Sequence, residues 1–235
     1  ILSLLVFANL GSANAADICE TLFDATPGES FQVSIGDLER SRKFLRQIDK
    51  KNAVAIYGSA RLPETHPAYR AAFRFTQLLA QNGKATVTGG GLGIMKAANA
   101  GAKSMGGKSY GVIIHLPHEQ TMNLHLDDYV SHKDLFTRME VFVRSSSAHV
   151  FFQGGLGTLQ EVTLVLSLIQ NRQMAKEPVV LVDRAYWAPL VHLLQESLLK
   201  GGTISKEDME LFVVVDTPEQ AYQAVTKWHD LTPNN

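Results

Sequence analysis

Cysteine is nearly absent from this chain of 235 residues, which contains only Cys19. A single cysteine excludes an intramolecular disulfide framework and any cysteine-based zinc site. No stretch approaches the roughly 18 consecutive apolar residues of a membrane-spanning helix, so stable membrane insertion is not expected. Neither sign of charge is in excess, because the net charge is −1, and the composition therefore gives no bias toward nucleic acid. The hydrophobic content of 45% is typical of a globular protein with a proper core.

The first 20 residues differ from the rest of the chain. Residues 1–10 are apolar, and they precede a run of small residues that contains Ala13 and Ala15. This pattern resembles a secretory signal with an Ala-x-Ala cleavage site near Ala15, which predicts export or a periplasmic location. The alternative is that these residues form an ordinary N-terminal helix of a cytoplasmic protein. Both interpretations stay open, and a mature chain that starts at Ala16 would support export.

Short apolar runs alternate with helical patterns over residues 37–230. The predicted strands are Ala53–Tyr57, Ala85–Thr88, Ser109–Ile114, Tyr129–Ser131, Ala148–Phe152, Pro178–Val182 and Leu211–Val215. Helices are predicted at residues 37–50, 69–81, 94–105, 134–146, 158–171, 187–200 and 218–228. Most strands are continuous apolar runs, which indicates a parallel sheet that helices cover on both faces.

We therefore predict a single α/β domain over residues 37–230, with a doubly wound, Rossmann-like and mostly parallel sheet. Residues 21–36 are predicted to be a loose lead-in, and residues 231–235 a tail. In such a fold the ligand lies at the C-terminal ends of the strands.

Three of the predicted strands end in small or glycine-rich turns. These turns are Gly58-Ser59-Ala60-Arg61, Gly89–Gly93 and Gly154–Gly157. A turn of this kind before a helix exposes backbone N–H groups at the positive end of the helix dipole, which favours a phosphate. The turns lack the Gly-Lys-Ser/Thr of a P-loop, and no acid ends the next strand as in a dinucleotide site. They predict a nucleotide-like phosphate ligand, although glycines that serve only tight turns remain the alternative.

A long polar segment, residues 115–128, is predicted to form a wall or lid of the site. Four histidines lie in it or just beyond it, namely His115, His118, His125 and His132, and Asp127 and Asp128 are close by. Their spacing does not put two histidines on one helix face, and no cysteine joins them. We therefore predict a polar loop and no metal site.

Two motifs, T-G-G-G-L-G-I-M (88–95) and G-G-L-G-T-L-Q-E (154–161), resemble the two signatures of the LOG (LONELY GUY) family. Shorter matches occur at G-S-A-R (58–61), L-P-H-E-Q (116–120), L-x-L-I-Q (166–170) and D-R-A-Y-W (183–187), so that the resemblance runs from Ala53 to about Val225. It implies a homodimer that hydrolyses the N-glycosidic bond of nucleoside 5′-monophosphates, such as AMP or cytokinin riboside 5′-monophosphates, to free base and ribose 5-phosphate. It implies no cofactor. The older label of lysine decarboxylase for such sequences implies pyridoxal chemistry, for which the residues give no physical case.

The resemblance also implies roles for particular residues. Glu161 matches the signature glutamate and Arg138 the arginine of the preceding helix, and these two are the predicted catalytic residues. A carboxylate can stabilise the oxocarbenium character that develops at the sugar, and arginine pairs well with a carboxylate or a phosphate. The predicted substrate-binding residues are Gly154, Gly155, Gly157 and Thr158 at the 5′-phosphate, Gly89, Gly90, Gly91 and Gly93 on the opposite side, Met95 near the base, and Ser59.

Three residues depart from the family pattern. Gln153 replaces the signature proline, which is expected to loosen the start of the turn. Met139 replaces a lysine after the arginine, and Glu140 adds a negative charge that is expected to weaken phosphate binding. Gln153 and Met139 favour the alternative function, a nucleotide-binding or carrier protein on the same fold without turnover.

Overall fold

The computed structural model describes residues 27–115 and 121–228. The predicted export segment, the tail and the L-P-H-E-Q motif with His118 lie outside the described residues. Within the described ranges, no helix is both long and apolar enough to cross a membrane.

The described part of the chain forms one sheet of seven parallel strands, which confirms the predicted fold class. The strands are β1 (Ala53–Tyr57), β2 (Ala85–Thr88), β3 (Ser109–Ile114), β4 (Asp128–His132), β5 (His149–Phe151), β6 (Val179–Val182) and β7 (Val213–Val215). Their order across the sheet is β4-β3-β2-β1-β5-β6-β7. The direction of winding therefore reverses between β1 and β5, where Tyr57 lies in register with Phe151. A reversal of this kind opens a crevice at the C-terminal ends of the two strands.

Helices cover both faces of the sheet. They are α1 (Pro27–Leu45), α2 (Pro67–Gln81), α3 (Ile94–Ser104), α4 (Leu135–Arg144), α5 (Leu156–Gln170), α6 (Arg184–Leu193, continued by a π-helical turn, Leu194–Leu199) and α7 (Pro218–Thr226). Apolar side chains of α2, α3 and α7 pack on one face, and those of α4, α5 and α6, with Phe44 of α1, pack on the other. Every residue of β1 is buried, because this central strand has helices above and below.

The N-terminal part of the domain differs from the prediction. Helix α1 begins at Pro27, so the expectation of a loose lead-in through residue 36 was wrong for its last ten residues. The sequence Pro27-Gly28 was interpreted as a turn signal, but proline is also favoured at the first position of a helix, where its missing N–H would have had no partner.

Asp37 fixes helix α1 to the start of α4. Its carboxylate is fully buried, and its Oδ2 accepts hydrogen bonds from the backbone N–H groups of Lys133 and Asp134, both at 2.9 Å, and from the Thr137 hydroxyl at 3.1 Å. Arg40 forms an ion pair with the other carboxylate oxygen. A buried carboxylate requires partners of this kind, since an unpaired one would be strongly destabilising.

His132 lies beside this carboxylate and is also fully buried. Its Nε2 is 3.2 Å from the Ser41 hydroxyl, and its Nδ1 is 3.1 Å from the Thr137 hydroxyl. Burial lowers the pKa of His132 from 6.5 to about 4, and Arg138 and Arg40 act in the same direction, although Asp37 opposes them. Between pH 6.5 and about 4 the unfolded chain therefore binds a proton that the folded chain does not, so the free energy of unfolding falls as the pH falls through this window.

We predict that His132→Gln reduces the loss of stability on acidification. The shift of the pKa from 6.5 to about 4 corresponds to about 3 kcal/mol in the free energy of unfolding. The wild type should lose this amount between pH 7.5 and pH 4, whereas the variant, which has no group to protonate at this position, should not. Urea denaturation at pH 7.5 and pH 4 measures the two free energies of unfolding. Burial also lowers the pKa of His149, and this contribution is common to both proteins. Equal losses in wild type and variant would contradict the prediction.

Candidate active site

A cleft of about 910 Å³ opens at the reversal point between β1 and β5. Its walls come from the ends of β1, β3 and β4, from the turns after β1 and β2, and from helices α3, α4 and α5. A second groove, of about 670 Å³, lies between residues 169–176 and 207–211, at the far end of α5. The first cleft contains the glycine turns and the two predicted catalytic residues, and it is therefore the candidate site.

The turn after β5 leads directly into helix α5, which begins at Leu156, two residues earlier than predicted. Gly155 is the N-cap, and its lack of a side chain leaves the first N–H groups of the helix without a capping group. A Cβ at Gly155 or Gly157 would meet nothing within 4 Å, so both residues face open space. Thr158 is buried at the wall of the cleft. This helix N-terminus has the geometry and the dipole that suit an anion.

Two of the predicted site glycines have a packing role instead. Neither Gly154 nor Gly93 lines the cleft. A Cβ at Gly154 would come within 2.1 Å of the Thr158 hydroxyl, and one at Gly93 within 2.2 Å of the Ser59 carbonyl oxygen. Gly93 also has a φ of +58°, which disfavours other residues. These positions need glycine because neighbouring segments approach closely.

The turn after β2 packs against the opposite wall. A Cβ at Gly89 would lie 2.5 Å from Nη2 of Arg138 and 2.6 Å from the sulfur of Met95. A Cβ at Gly91 would lie 2.7 Å from Cε of the same methionine. The absence of side chains here lets Arg138 and Met95 reach the cleft.

Arg138 and Glu161 form an ion pair inside the cleft. Nη1 of Arg138 donates to Oε1 of Glu161 at 3.1 Å, and the two side chains are only 11% and 9% exposed. Nε of Arg138 donates to the Val112 carbonyl at 3.1 Å, and its guanidinium carbon lies 5.2 Å from the centroid of the Phe142 ring. This buried ion pair thus connects helices α4 and α5. The guanidinium has three partners, namely the Glu161 carboxylate, the Val112 carbonyl and the Phe142 ring.

The environment of Glu161 alters its acidity. Burial raises the pKa of the carboxyl above 4.5, while the charge and the hydrogen bond of Arg138 lower it, and burial has the larger effect. Glu161 is consequently a stronger base than an exposed glutamate. A perturbed carboxyl in a cleft is a common property of catalytic acids and bases.

Sequence reasoning missed Tyr57, which lines the cleft at the end of β1. Its ring stacks on Phe142, with centroids 4.6 Å apart, and on Phe151 at 4.4 Å. Its hydroxyl is 3.0 Å from Nδ1 of His149. Burial, reinforced by the charge of Glu161, raises the pKa of Tyr57 well above 10, so the phenol stays protonated. Its place in the sequence could have indicated this role, because Tyr57 is the last residue of β1 before the turn at Gly58.

The remaining predicted residues line the cleft, namely Glu161, Arg138, Gly155, Gly157, Thr158, Gly89, Gly90, Gly91, Met95 and Ser59. Further lining residues were missed, among them Ile113, His115, Met122, Tyr129, Ser131 and Phe142. Two of them, His115 and Met122, belong to residues 115–128, which were predicted as a wall or lid without contacts for single residues.

The three departures from the family pattern affect the site less than expected. Gln153 does not loosen the turn, because its amide donates to the Asp183 carboxylate at 2.6 Å and its carbonyl accepts from the Ser59 N–H at 2.9 Å. Met139 is buried outside the cleft. Glu140 is exposed, pairs with Arg144 and does not line the cleft, so the expected weakening of phosphate binding has no structural basis.

Two of the four histidines, His115 and His132, are hydrogen-bonded in the cleft wall and the sheet. Nε2 of His115 is 2.6 Å from the Ser131 hydroxyl, and His132 lies between two hydroxyls as described above. Within residues 27–115 and 121–228, no three His, Cys, Asp or Glu side chains come close enough together to hold a metal ion.

Comparison with known proteins identifies the family. Residues 95–225 match the family model described as possible lysine decarboxylase. The chain is 31% identical over 174 residues to a protein of Mycobacterium marinum named cytokinin riboside 5′-monophosphate phosphoribohydrolase, covering 73% of this chain and 91% of the relative.

Solved structures share the fold. The molybdenum cofactor carrier protein of Chlamydomonas reinhardtii superposes with a TM-score of 0.56 at 26% identity, covering 75% of this chain and 97% of that one. The molybdenum cofactor binding protein of Rippkaea orientalis gives a TM-score of 0.57 at 24% identity, with 77% and 98% covered. The fold, the two signatures and these matches agree: the chain belongs to the LOG family.

Proposed function

We propose that the protein hydrolyses the N-glycosidic bond of purine or cytokinin-type nucleoside 5′-monophosphates, with AMP as the simplest substrate, to free base and ribose 5-phosphate. The observation that carries the proposal is the buried Arg138–Glu161 pair, which lies one helical turn from the N-terminus of α5. The name of the Mycobacterium marinum relative supports the same reaction.

In this proposal the helix N-terminus binds the 5′-phosphate. The N–H groups of residues 156–158 and the Thr158 hydroxyl donate to its oxygens, and the helix dipole favours its charge. Glu161 follows Thr158 by three residues and lies on the same side of the helix, beside the sugar. Gly89, Gly90 and Gly91 form the facing wall, and Met95 contacts the base. Ser59 contributes a hydroxyl between the two turns.

Glu161 then assists the bond cleavage. As the bond between C1′ and the base nitrogen breaks, positive charge develops on the sugar, and the nearby carboxylate stabilises it. The carboxylate also accepts a proton from the attacking water, whose oxygen forms the new bond to C1′. That proton passes to the departing base, so the products are neutral base and ribose 5-phosphate. Arg138 fixes the orientation of the carboxylate and opposes its protonation.

Pyridoxal chemistry does not fit the residues. A pyridoxal enzyme holds its cofactor through a lysine, and none of the described residues that line the cleft is a lysine. The residues of the cleft therefore give no basis for a pyridoxal-dependent decarboxylation.

We predict that Glu161→Gln strongly slows base release while binding persists. The amide keeps the size of the side chain but cannot accept a proton, so kcat for AMP should fall by about 10³-fold, within the range for loss of a general base. Chromatography of adenine measures the reaction. Glu140→Gln is the matched control on an exposed, ion-paired glutamate, and it should leave the rate unchanged. A Glu161→Gln protein that releases adenine at the wild-type rate would contradict the proposal.

The pH profile should report the Glu161–Arg138 pair. Burial raises the pKa of Glu161 above 4.5, and the proposed reaction needs the ionised carboxylate. The value of kcat/KM should therefore fall when the pH drops below this raised pKa. Arg138 lowers this pKa, so Arg138→Gln should move the acid limb to higher pH as well as reduce the rate. Arg144→Gln, on the exposed side of the same helix, is the control. An unmoved acid limb in Arg138→Gln would show that another group controls it.

A carrier that binds a nucleotide-like ligand without turnover is the second candidate. The fold and the 26% identity shared with the Chlamydomonas reinhardtii carrier protein favour it, whereas Gln153 and Met139 leave the structure of the cleft intact and do not separate the two candidates. Tight binding of several nucleoside monophosphates without release of base from any of them would support this candidate over the enzyme.

We also propose a homodimer, as the family resemblance implies. Leu156 and Leu159 at the start of α5 are 86% and 37% exposed, and exposed leucines on one helix suit a contact with a second copy. Light scattering should give about twice the 25.8 kDa of one chain, and Leu159→Asp should shift the mass toward the monomer. A wild-type mass of one chain at assay concentrations would contradict the dimer.

A further inference from the structure

A buried amide network lies behind the Gly89–Gly91 turn. Asn123 is only 3% exposed, and its Nδ2 donates to the carbonyl oxygens of Gly90 at 3.0 Å and Gly91 at 2.9 Å. The same nitrogen donates to Oδ1 of Asn99 at 2.9 Å. The backbone N–H of Asn123 also donates to the Gly90 carbonyl, at 2.9 Å. One residue thus binds two successive carbonyls of a wall of the cleft.

The orientation of this amide is fixed by its partners. Oδ1 of Asn123 accepts from the N–H of His125 at 3.0 Å, while Nδ2 faces three oxygens. A flipped amide would oppose oxygen to oxygen and N–H to N–H, so only the observed orientation is compatible with these partners; the two N–H bonds of Nδ2 are then shared among three acceptors.

Asn99 and Thr88 complete the network. Oδ1 of Asn99 also accepts from the Thr88 hydroxyl at 2.7 Å, and its Nδ2 donates to Ser109 at 2.8 Å. The Thr88 oxygen in turn accepts the N–H of Gly90 at 2.9 Å. A buried network in which each side-chain polar atom has a partner is rigid and favours one backbone conformation, here one in which Gly90 has a φ of +72°.

This network determines where the next N–H groups point. In a planar trans peptide the carbonyl and the following N–H point in opposite directions. The carbonyls of Gly90 and Gly91 are turned into the protein toward Asn123, so the N–H groups of Gly91 and Leu92 are turned the other way. Both of these residues line the cleft, whereas Asn123 does not.

We propose that Asn123 is a positioning residue that directs the Gly91 and Leu92 N–H groups toward an oxygen of the bound ligand. Two successive N–H groups aimed at one point form a nest that attracts an anionic or hydroxyl oxygen. The site then has donors on both walls, the start of α5 on one and this turn on the other. Thr121 and Met122, which precede Asn123 in the chain, line the same cleft. This inference rests on the proposed nucleotide ligand and assigns a further residue to its binding.

The first test uses amide hydrogen exchange by NMR on the Glu161→Gln protein, with AMP as the probe. Without AMP, the N–H groups of Gly90 and Asn123 should exchange slowly and those of Gly91 and Leu92 quickly. AMP should slow the exchange of Gly91 and Leu92 by about tenfold or more. If AMP binds and these two amides do not change, the inference is wrong. If AMP does not bind at all, the proposed substrate is wrong. The role of Asn123 is then tested separately, by the amide exchange of Gly90 in the Asn123→Ala protein.

The second test is Asn123→Ala. It should accelerate the exchange of the Gly90 N–H and raise KM for AMP about tenfold, with kcat within about threefold, because Glu161 and Arg138 keep their positions. Asn171→Ala is the matched control, since the Asn171 amide also donates to a backbone carbonyl, that of Ser167 at 2.9 Å, but at the exposed end of α5. An Asn123→Ala protein with unchanged exchange in the turn and unchanged KM would overturn the inference.

Discussion

The site depends on one constraint, that a buried carboxylate must have a partner. Glu161 is almost enclosed by protein, and Arg138 is the cation that reaches it. The arginine has its own supports in the Val112 carbonyl and the Phe142 ring, and that ring stacks on Tyr57. The pair therefore joins α4, α5, β1 and β3 at one point. Removal of either partner would leave a buried charge uncompensated, which is far more costly than loss of an exposed ion pair.

The fold brings the partners of this pair together from distant parts of the chain. The reversal of winding between β1 and β5 opens the crevice, and the helix after β5 begins inside it. Asp37 holds the start of α4 from the other side, so the N-terminal helix also contributes to the position of Arg138. Glycines allow the close approach of these segments. Glu161 and the N-terminal end of α5 consequently face one cavity.

Much of the fold could be predicted from the sequence, because continuous apolar runs such as Ala53–Tyr57 are typical of buried parallel strands. Tyr57 and Phe142 were missed, since their contact depends on how α4 packs on β1 and not on any local pattern. Local sequence also could not separate the roles of glycines. Gly155 faces the cleft, whereas Gly154 merely makes room for Thr158. The stabilising bond from Gln153 to Asp183 joins residues 30 positions apart, so no turn rule could have anticipated it.

The most direct test of the account is the release of free base from AMP compared with adenosine, measured side by side with the same protein. In the proposed reaction, the start of α5 binds the phosphate of the substrate and Glu161 promotes cleavage of the bond. We expect equimolar adenine and ribose 5-phosphate from AMP, and a kcat/KM for adenosine lower by at least about 10²-fold, because binding of the phosphate contributes to the reaction of the sugar. Equal rates with adenosine, or no release of adenine from AMP at any protein concentration, would contradict it.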